Sequence, residues 1–104
     1  MKFPAAFAMM LCGSSVVVAD PAKLELGKKV FLELAEPNCG VCHTLDDAGT
    51  KGEIGPLLDD MRPDADRVEA AVTNGLGAMP AYDGLSKEQI AAVAYYVASV
   101  AGKQ

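Results

Sequence analysis

Apolar residues recur at helical spacing in three stretches of the chain and alternate with polar ones nowhere for long, so the pattern predicts an all-α fold without strands. The first stretch spans about Pro21 to Ala35. Asp20 is its candidate cap, Pro21 suits the first helical position, and Leu24, the stem of Lys28, Phe31 and Leu34 or Ala35 form its stripe. Pro37 stops it. The second spans about Ala65 to Asn74, with Asp64 as cap, Asp66 in the first turn, and Val68, Ala71 and Val72 as a short apolar face. Gly75 is placed where a helix ends in a left-handed residue. The third spans about Lys87 to Ala101. Ser86 and Gln89 match a capping box, and Ile90, Val93, Ala94, Val97, Val100 and Ala101 make a wide apolar face that Gly102 closes. A further short helix is expected at Cys39. Residues 44–63 and 75–85 read as loop, long for so small a domain, which points to function or to a missing partner in the core.

The amino-terminal end has a different pattern. Lys2 is the only charge before Asp20, Phe3 to Val18 is apolar or small, and Val17-Val18-Ala19 offers a small-residue cleavage site. Residues 1–19 therefore read as a cleaved secretory signal and 20–104 as one exported, soluble domain. An uncleaved membrane anchor is the weaker alternative, because Pro4, Gly13 and Ser14-Ser15 interrupt a segment barely long enough to span a bilayer. Lipoprotein processing at Cys12 is disfavoured by the bulky Leu11 before it.

Removing nineteen residues from 104 leaves 85, and losing Lys2 leaves 8 basic residues against 14 acidic, a net charge of −6. Such a chain lacks the basic footprint that nucleic acid requires and suits a partner with a basic docking face. It is also a marginal length for an unaided hydrophobic core. Only Cys39 and Cys42 remain after cleavage, and a bridge between residues three apart would close a tiny loop and remove little chain entropy. The staple must be something else.

Cys39-Gly40-Val41-Cys42-His43 supplies it, since C-x-x-C-H is the signature of c-type haem attachment. Two thiols one helical turn apart can each add to one of two vinyl groups along one porphyrin edge, and the adjacent His43 is carried under the iron. Gly40 and Val41 are small enough to let that edge approach the backbone. A thiol-redox reading lacks the strand–turn–helix setting, and a zinc reading lacks the ligands, with two Cys and one His all within five residues.

The occupant of the sixth iron position decides what such a haem does. After cleavage two methionines remain. Met79 lies in Gly75-Leu76-Gly77-Ala78-Met79-Pro80-Ala81-Tyr82, where two glycines permit a tight turn and Pro80 stiffens the next step. It is the candidate sixth ligand, of a type that cytochromes c use. Met61 reads as an apolar gap-filler beside a helix start.

With these motifs in order, the chain resembles the class I c-type cytochromes from about Gly27 to Val100. Gly27 and Phe31, Cys39 to His43, Gly55-Pro56-Leu57-Leu58, Met79-Pro80, and Leu85 through Tyr96 stand in the family's sequence of elements. Within that family, the run from Ala71 to Tyr82 is similar to the cytochrome partners or subunits of bacterial sulfite dehydrogenases. The resemblance implies a small class I cytochrome c fold, with three to five short helices wrapped around one covalent haem c. It implies that Pro56 offers its carbonyl to Nδ1 of His43, that Leu58 packs on the haem face, and that Gly27, Phe31 and Tyr96 form the crossing of the first and last helices. Tyr95 has no family role and reads as surface or rim. The family members that dock through basic patches carry rings of lysine, which this chain lacks, so its partner must differ in charge.

The expected function is that of a periplasmic single-electron carrier in a respiratory chain. It would take electrons from a dehydrogenase, with a molybdenum sulfite dehydrogenase among the candidates, and pass them to an oxidase or other acceptor. It is expected to be no enzyme and to have no stable membrane association once the signal is cut. The small uncharged residues Gly40, Val41, Ala78, Pro80 and Ala81 are expected to frame an exposed haem edge, and Asp46-Asp47 and Asp59-Asp60 to be solvated loop surface. The alternative is an open sixth site, serving a gas sensor or a minor peroxidase-like enzyme, with Met79 a mere filler.

Overall fold

The computed structural model describes residues 19–103. The expected signal segment lies outside the described residues except for Ala19. Helix α1 spans Pro21–Lys29, and Asp20 caps it by accepting from the Lys23 amide at 3.1 Å. It runs straight into a widened π turn, Val30–Leu34, closed by the Ala35 amide on the Val30 carbonyl at 3.1 Å. Val30, Phe31 and Ala35 all reach the core from this turn, while Leu34 is turned out of it. Two residues of the predicted stripe face outward, although Ala35, the alternative to Leu34, is buried. Leu34 is exposed, and Lys28 faces solvent with its ammonium 3.7 Å from Asp47, a pairing of little energetic weight. Gly27 takes the central place instead.

Helix α4, Lys87–Val100, starts on the expected capping box, with Ser86 and Gln89 exchanging side-chain and backbone bonds at 3.0 and 2.8 Å. It crosses α1 at Gly27. A Cβ on Gly27 would fall inside the Ala92 carbonyl oxygen and lie 2.5 Å from Tyr96 Cβ, so only glycine allows this approach. Phe31 and Tyr96 meet edge to face beside the crossing, ring centres 6.0 Å apart at 65°. Helix α3, Ala65–Asn74, begins at Asp64 and packs its Val72 against α4. It ends at Gly75, whose φ of +78° is positive as expected, but whose ψ of 165° lies outside the left-handed helical well, in a region essentially reserved for glycine.

The loop predicted over 44–63 holds more structure than its pattern showed. Thr44–Leu45 (β1) pairs antiparallel with Thr50–Lys51 (β2) around a 3-10 turn at Asp46–Ala48. Two residues per strand are too few to display a period of two. The hairpin is held largely by side chains. Thr50 Oγ1 donates to the His43 carbonyl and accepts from the Leu45 amide, while Thr44 Oγ1 donates to the Gly52 carbonyl. A single helical turn, α2 (Leu58–Met61), follows, ending in left-handed Arg62.

The acidic pairs are only partly the solvated surface expected. Asp46, Asp47 and Asp60 are exposed, but Asp47 also accepts the Tyr96 hydroxyl proton at 2.6 Å. Asp59 accepts from the Asp46 and Gly102 amides, both at 2.8 Å. Asp59 thus joins the hairpin, α2 and the end of α4. Replacing it with alanine is expected to cost about 2–3 kcal/mol, the weight of bonds to a charged acceptor, read as a lowered thermal midpoint. An unchanged midpoint would mean that water replaces both bonds. Tyr95 has a tie of its own, away from any rim. Its hydroxyl accepts from the Asp20 amide at 2.8 Å, and the Lys23 ammonium sits 5.2 Å from its ring centre. No helix among the described residues is long and apolar enough to cross a membrane.

Candidate haem site

Cys39 opens a 3-10 turn, Cys39–Val41, and the amides of Cys42 and His43 both return to its carbonyl, at 3.2 and 3.0 Å. That places both thiols and the imidazole on one short, closed turn. Neither cysteine is in a disulfide. Burial pushes the Cys39 thiol up to about 12, the opposite of the lowered value a redox-reactive cysteine needs.

The next segment folds back over His43. The Gly55 amide donates to the Cys42 carbonyl at 2.7 Å, and a Cβ on Gly55 would lie 2.5 Å from Cε1 of His43. The glycine therefore lets the chain lie flat against the ring. One residue later, the Pro56 carbonyl sits 2.8 Å from His43 Nδ1. A carbonyl can only accept, so Nδ1 carries the proton and Nε2 keeps its lone pair.

These residues form one side of an apolar cleft of about 460 Å³, within the size range of cofactor pockets. Phe31, Leu58, Val72, Val93 and Val97 make its buried floor, and Met79 lines it as well, with Gly75 and Pro80. Met79 sits on a tight turn in which it and Leu76 exchange two backbone hydrogen bonds, each 3.0 Å. The cleft thus offers two thiols, one imidazole nitrogen free to bind a metal, a thioether and otherwise apolar walls. That donor set suits a flat, largely apolar macrocycle carrying iron. Among the described residues no group of three or more His, Cys, Asp and Glu side chains could hold a bare metal ion, so the zinc reading gains no support.

Comparison with known proteins agrees with the geometry. Residues 22–97 match the family model described as cytochrome C oxidase, cbb3-type, subunit III. The cytochrome c6 of Leptolyngbya boryana is 38% identical over 82 residues, which cover 74% of this chain and 92% of that protein. The cytochrome c6 of Chlorolobion braunii is 38% identical over 87 residues, covering 73% of this chain and 89% of that protein. The chain belongs to the cytochrome c family. The crystal structure of the c-type cytochrome SorU from Sinorhizobium meliloti superposes with a TM-score of 0.79 at 57% identity, covering 81% of this chain and 97% of that one. The protein is therefore a small, mainly helical class I cytochrome, an electron carrier with one haem c attached at Cys39 and Cys42.

The cytochrome's cleft also holds residues that the sequence reading did not single out. Ile54 and Leu76 line it while 74% and 68% exposed, and Arg67 and Asn74 lie along its α3 edge. The one available signal was a large apolar residue beside glycine in each loop, Ile54 before Gly55 and Leu76 between Gly75 and Gly77. Arg67 and Asn74 gave none, because polar residues on a short amphipathic helix read as its solvent face. Met61 lines the cleft too, so it stands nearer the cofactor than a plain gap-filler. Of the expected rim, Ala78 and Pro80 line the cleft and Val41 and Ala81 are exposed, whereas Gly40 is half-buried against Thr50.

Proposed function

We propose that this cytochrome is an exported, periplasmic carrier of single electrons whose haem iron is held between His43 Nε2 and the Met79 thioether. The observation that carries the reading is the cleft itself, lined by both a tautomer-fixed imidazole and a methionine turn. The haem supplies an iron centre that cycles between Fe(II) and Fe(III). The chain's own residues keep that cycle cheap in reorganisation. Pro56 and Gly55 fix the plane and protonation of His43, as outer-sphere partners of ligand histidines do. Leu58 and the floor residues exclude water from the ring face, and the Leu76–Met79 turn holds the thioether in place. A His/Met pair favours a raised potential and leaves no position open to a substrate.

The donor is proposed to be a dehydrogenase, with a molybdenum sulfite dehydrogenase first among candidates, on the resemblance of the Ala71–Tyr82 run to the cytochrome partners of such enzymes. The acceptor is an oxidase or another carrier. The acidic balance favours partners with basic docking faces. Residues 1–19 support export, which haem attachment and the periplasmic setting both require.

The test is spectroscopic. The holoprotein is expected to give a six-coordinate c-type spectrum when reduced, unchanged under carbon monoxide. A prompt shift would mean an open or weak sixth site and would move the reading to a sensor or enzyme.

A further inference from the structure

We propose that Tyr82 is a positioning residue for the sixth iron ligand, its hydroxyl clasping the Met79 loop to the haem-attachment segment. The inference deepens the assignment of Met79 given above and rests on it.

The loop that presents Met79 leaves α3 at Gly75 and returns at Tyr82. Its tip is poorly held. Leu76 is largely exposed, as are Gly77 and Ala78, and the reciprocal bonds between Leu76 and Met79 fix the shape of the turn but not its position. Position must come from the base. There the Gly75 amide donates to the Ala71 carbonyl and the Tyr82 amide to the Val72 carbonyl, both at 2.8 Å, which ties both ends to α3 alone. Those bonds would let the loop and α3 move together away from the opposite wall of the cleft.

The Tyr82 side chain makes the link across. Its ring is 8% exposed and lines the cleft, and its hydroxyl donates to the Pro37 carbonyl at 2.8 Å, 45 residues away in sequence. It is the loop's only side-chain hydrogen bond among the described residues. Pro37 lies two residues before Cys39, whose sulfur is bonded to the macrocycle. A bond to Pro37 is therefore a bond to the frame in which the ring is fixed, and it sets the distance between that frame and the thioether. The hydroxyl remains a donor throughout the physiological range, because burial pushes it up to about 12. Without it the Pro37 carbonyl loses its partner in a half-buried place, and the loop keeps hydrogen bonds to α3 alone.

The consequence is a population shift. A loop released from its clasp spends more time with Met79 off the iron, and an added ligand binds in proportion to that open fraction. The probe is imidazole titrated into the ferric holoprotein, with the weak near-infrared band of sulfur-ligated ferric haem recorded alongside. Tyr82→Phe keeps the ring and removes only the hydroxyl. It is expected to tighten apparent imidazole binding about ten-fold, as loss of one buried hydrogen bond shifts the open fraction, and to weaken the near-infrared band. Tyr96→Phe is the control. It removes the Tyr96–Asp47 bond, which serves helix packing away from the loop, and should leave imidazole affinity within about two-fold of wild type. An unchanged affinity in Tyr82→Phe overturns the clasp, and so does an equal rise in both variants, which would mean general loosening. A wild-type protein with no sulfur-to-iron band overturns the Met79 assignment and this inference with it, and it shows itself before any substitution is made.

Discussion

Met79→Ala, with the haem attached, is expected to turn a reduced protein indifferent to carbon monoxide into one that binds it promptly and fully. The substitution removes the thioether while leaving the turn that presents it, since the bonds between Leu76 and Met79 are all backbone. The iron then keeps His43 and gains a position open to small ligands. The reduction potential should fall on the order of 0.1–0.2 V, a modest part of the ~0.8 V that axial ligands span. Met61 makes this a real test, because both methionines line the cleft. Met61→Ala is expected to leave the spectrum and the indifference to carbon monoxide intact. It should cost about 1–2 kcal/mol, less than a fully buried methionine would, because Met61 is half-buried. If the outcomes are exchanged, with Met61→Ala opening the iron and Met79→Ala leaving it closed, the ligand is Met61 and the Met-Pro turn serves packing.

The residues around the two methionines show what the sequence carries well. Local chemistry was legible. The haem motif, the capping box at Ser86 and Gln89, the cap at Asp64 and the stop at Gly75 each depend on residues within a few positions of one another. Such signals survive in one dimension because their physics is local. The Pro56 carbonyl beside His43 was expected from the family resemblance, and no residue pattern would have found it. What stayed hidden depends on residues far apart in sequence. Asp59 reads as half of an acidic loop pair until the Asp46 and Gly102 amides are seen to converge on it. Tyr82 reads as the end of a motif until its hydroxyl is found on Pro37. The π turn after Lys29 hides for a different reason. One added residue changes which residues face in only from that turn onward, so Leu34 turns outward while Ala35, the other candidate for the end of the stripe, is buried.

The helix crossing carries the second large effect. Gly27→Val is expected to destabilise the holoprotein by about 3–5 kcal/mol, at or beyond the upper end for overpacking. The usual escape is closed here. An added methylene in a core can be absorbed when its neighbour is the end of a flexible side chain, but the nearest atoms here are the Ala92 carbonyl and Tyr96 Cβ, part of the α4 backbone or fixed to it. The helices must separate as bodies. Separation pulls Phe31 from Tyr96 and lifts Val93 and Val97, on the same helix as Ala92, from the floor of the haem cleft. A domain of this size has about 5–10 kcal/mol in total, so the variant should melt roughly 15–30 °C lower. Gly27→Ala should fall between the two. Because His43 and Met79 belong to neither helix, the spectrum of the folded fraction at low temperature should match wild type. That separates damage to the scaffold from damage to the ligands. A Gly27→Ala protein melting within about 2 °C of wild type, less than half a kcal/mol for a domain this small, would show that α1 and α4 can part at little cost. The crossing would then be a convenience of the fold rather than the contact on which the cleft depends.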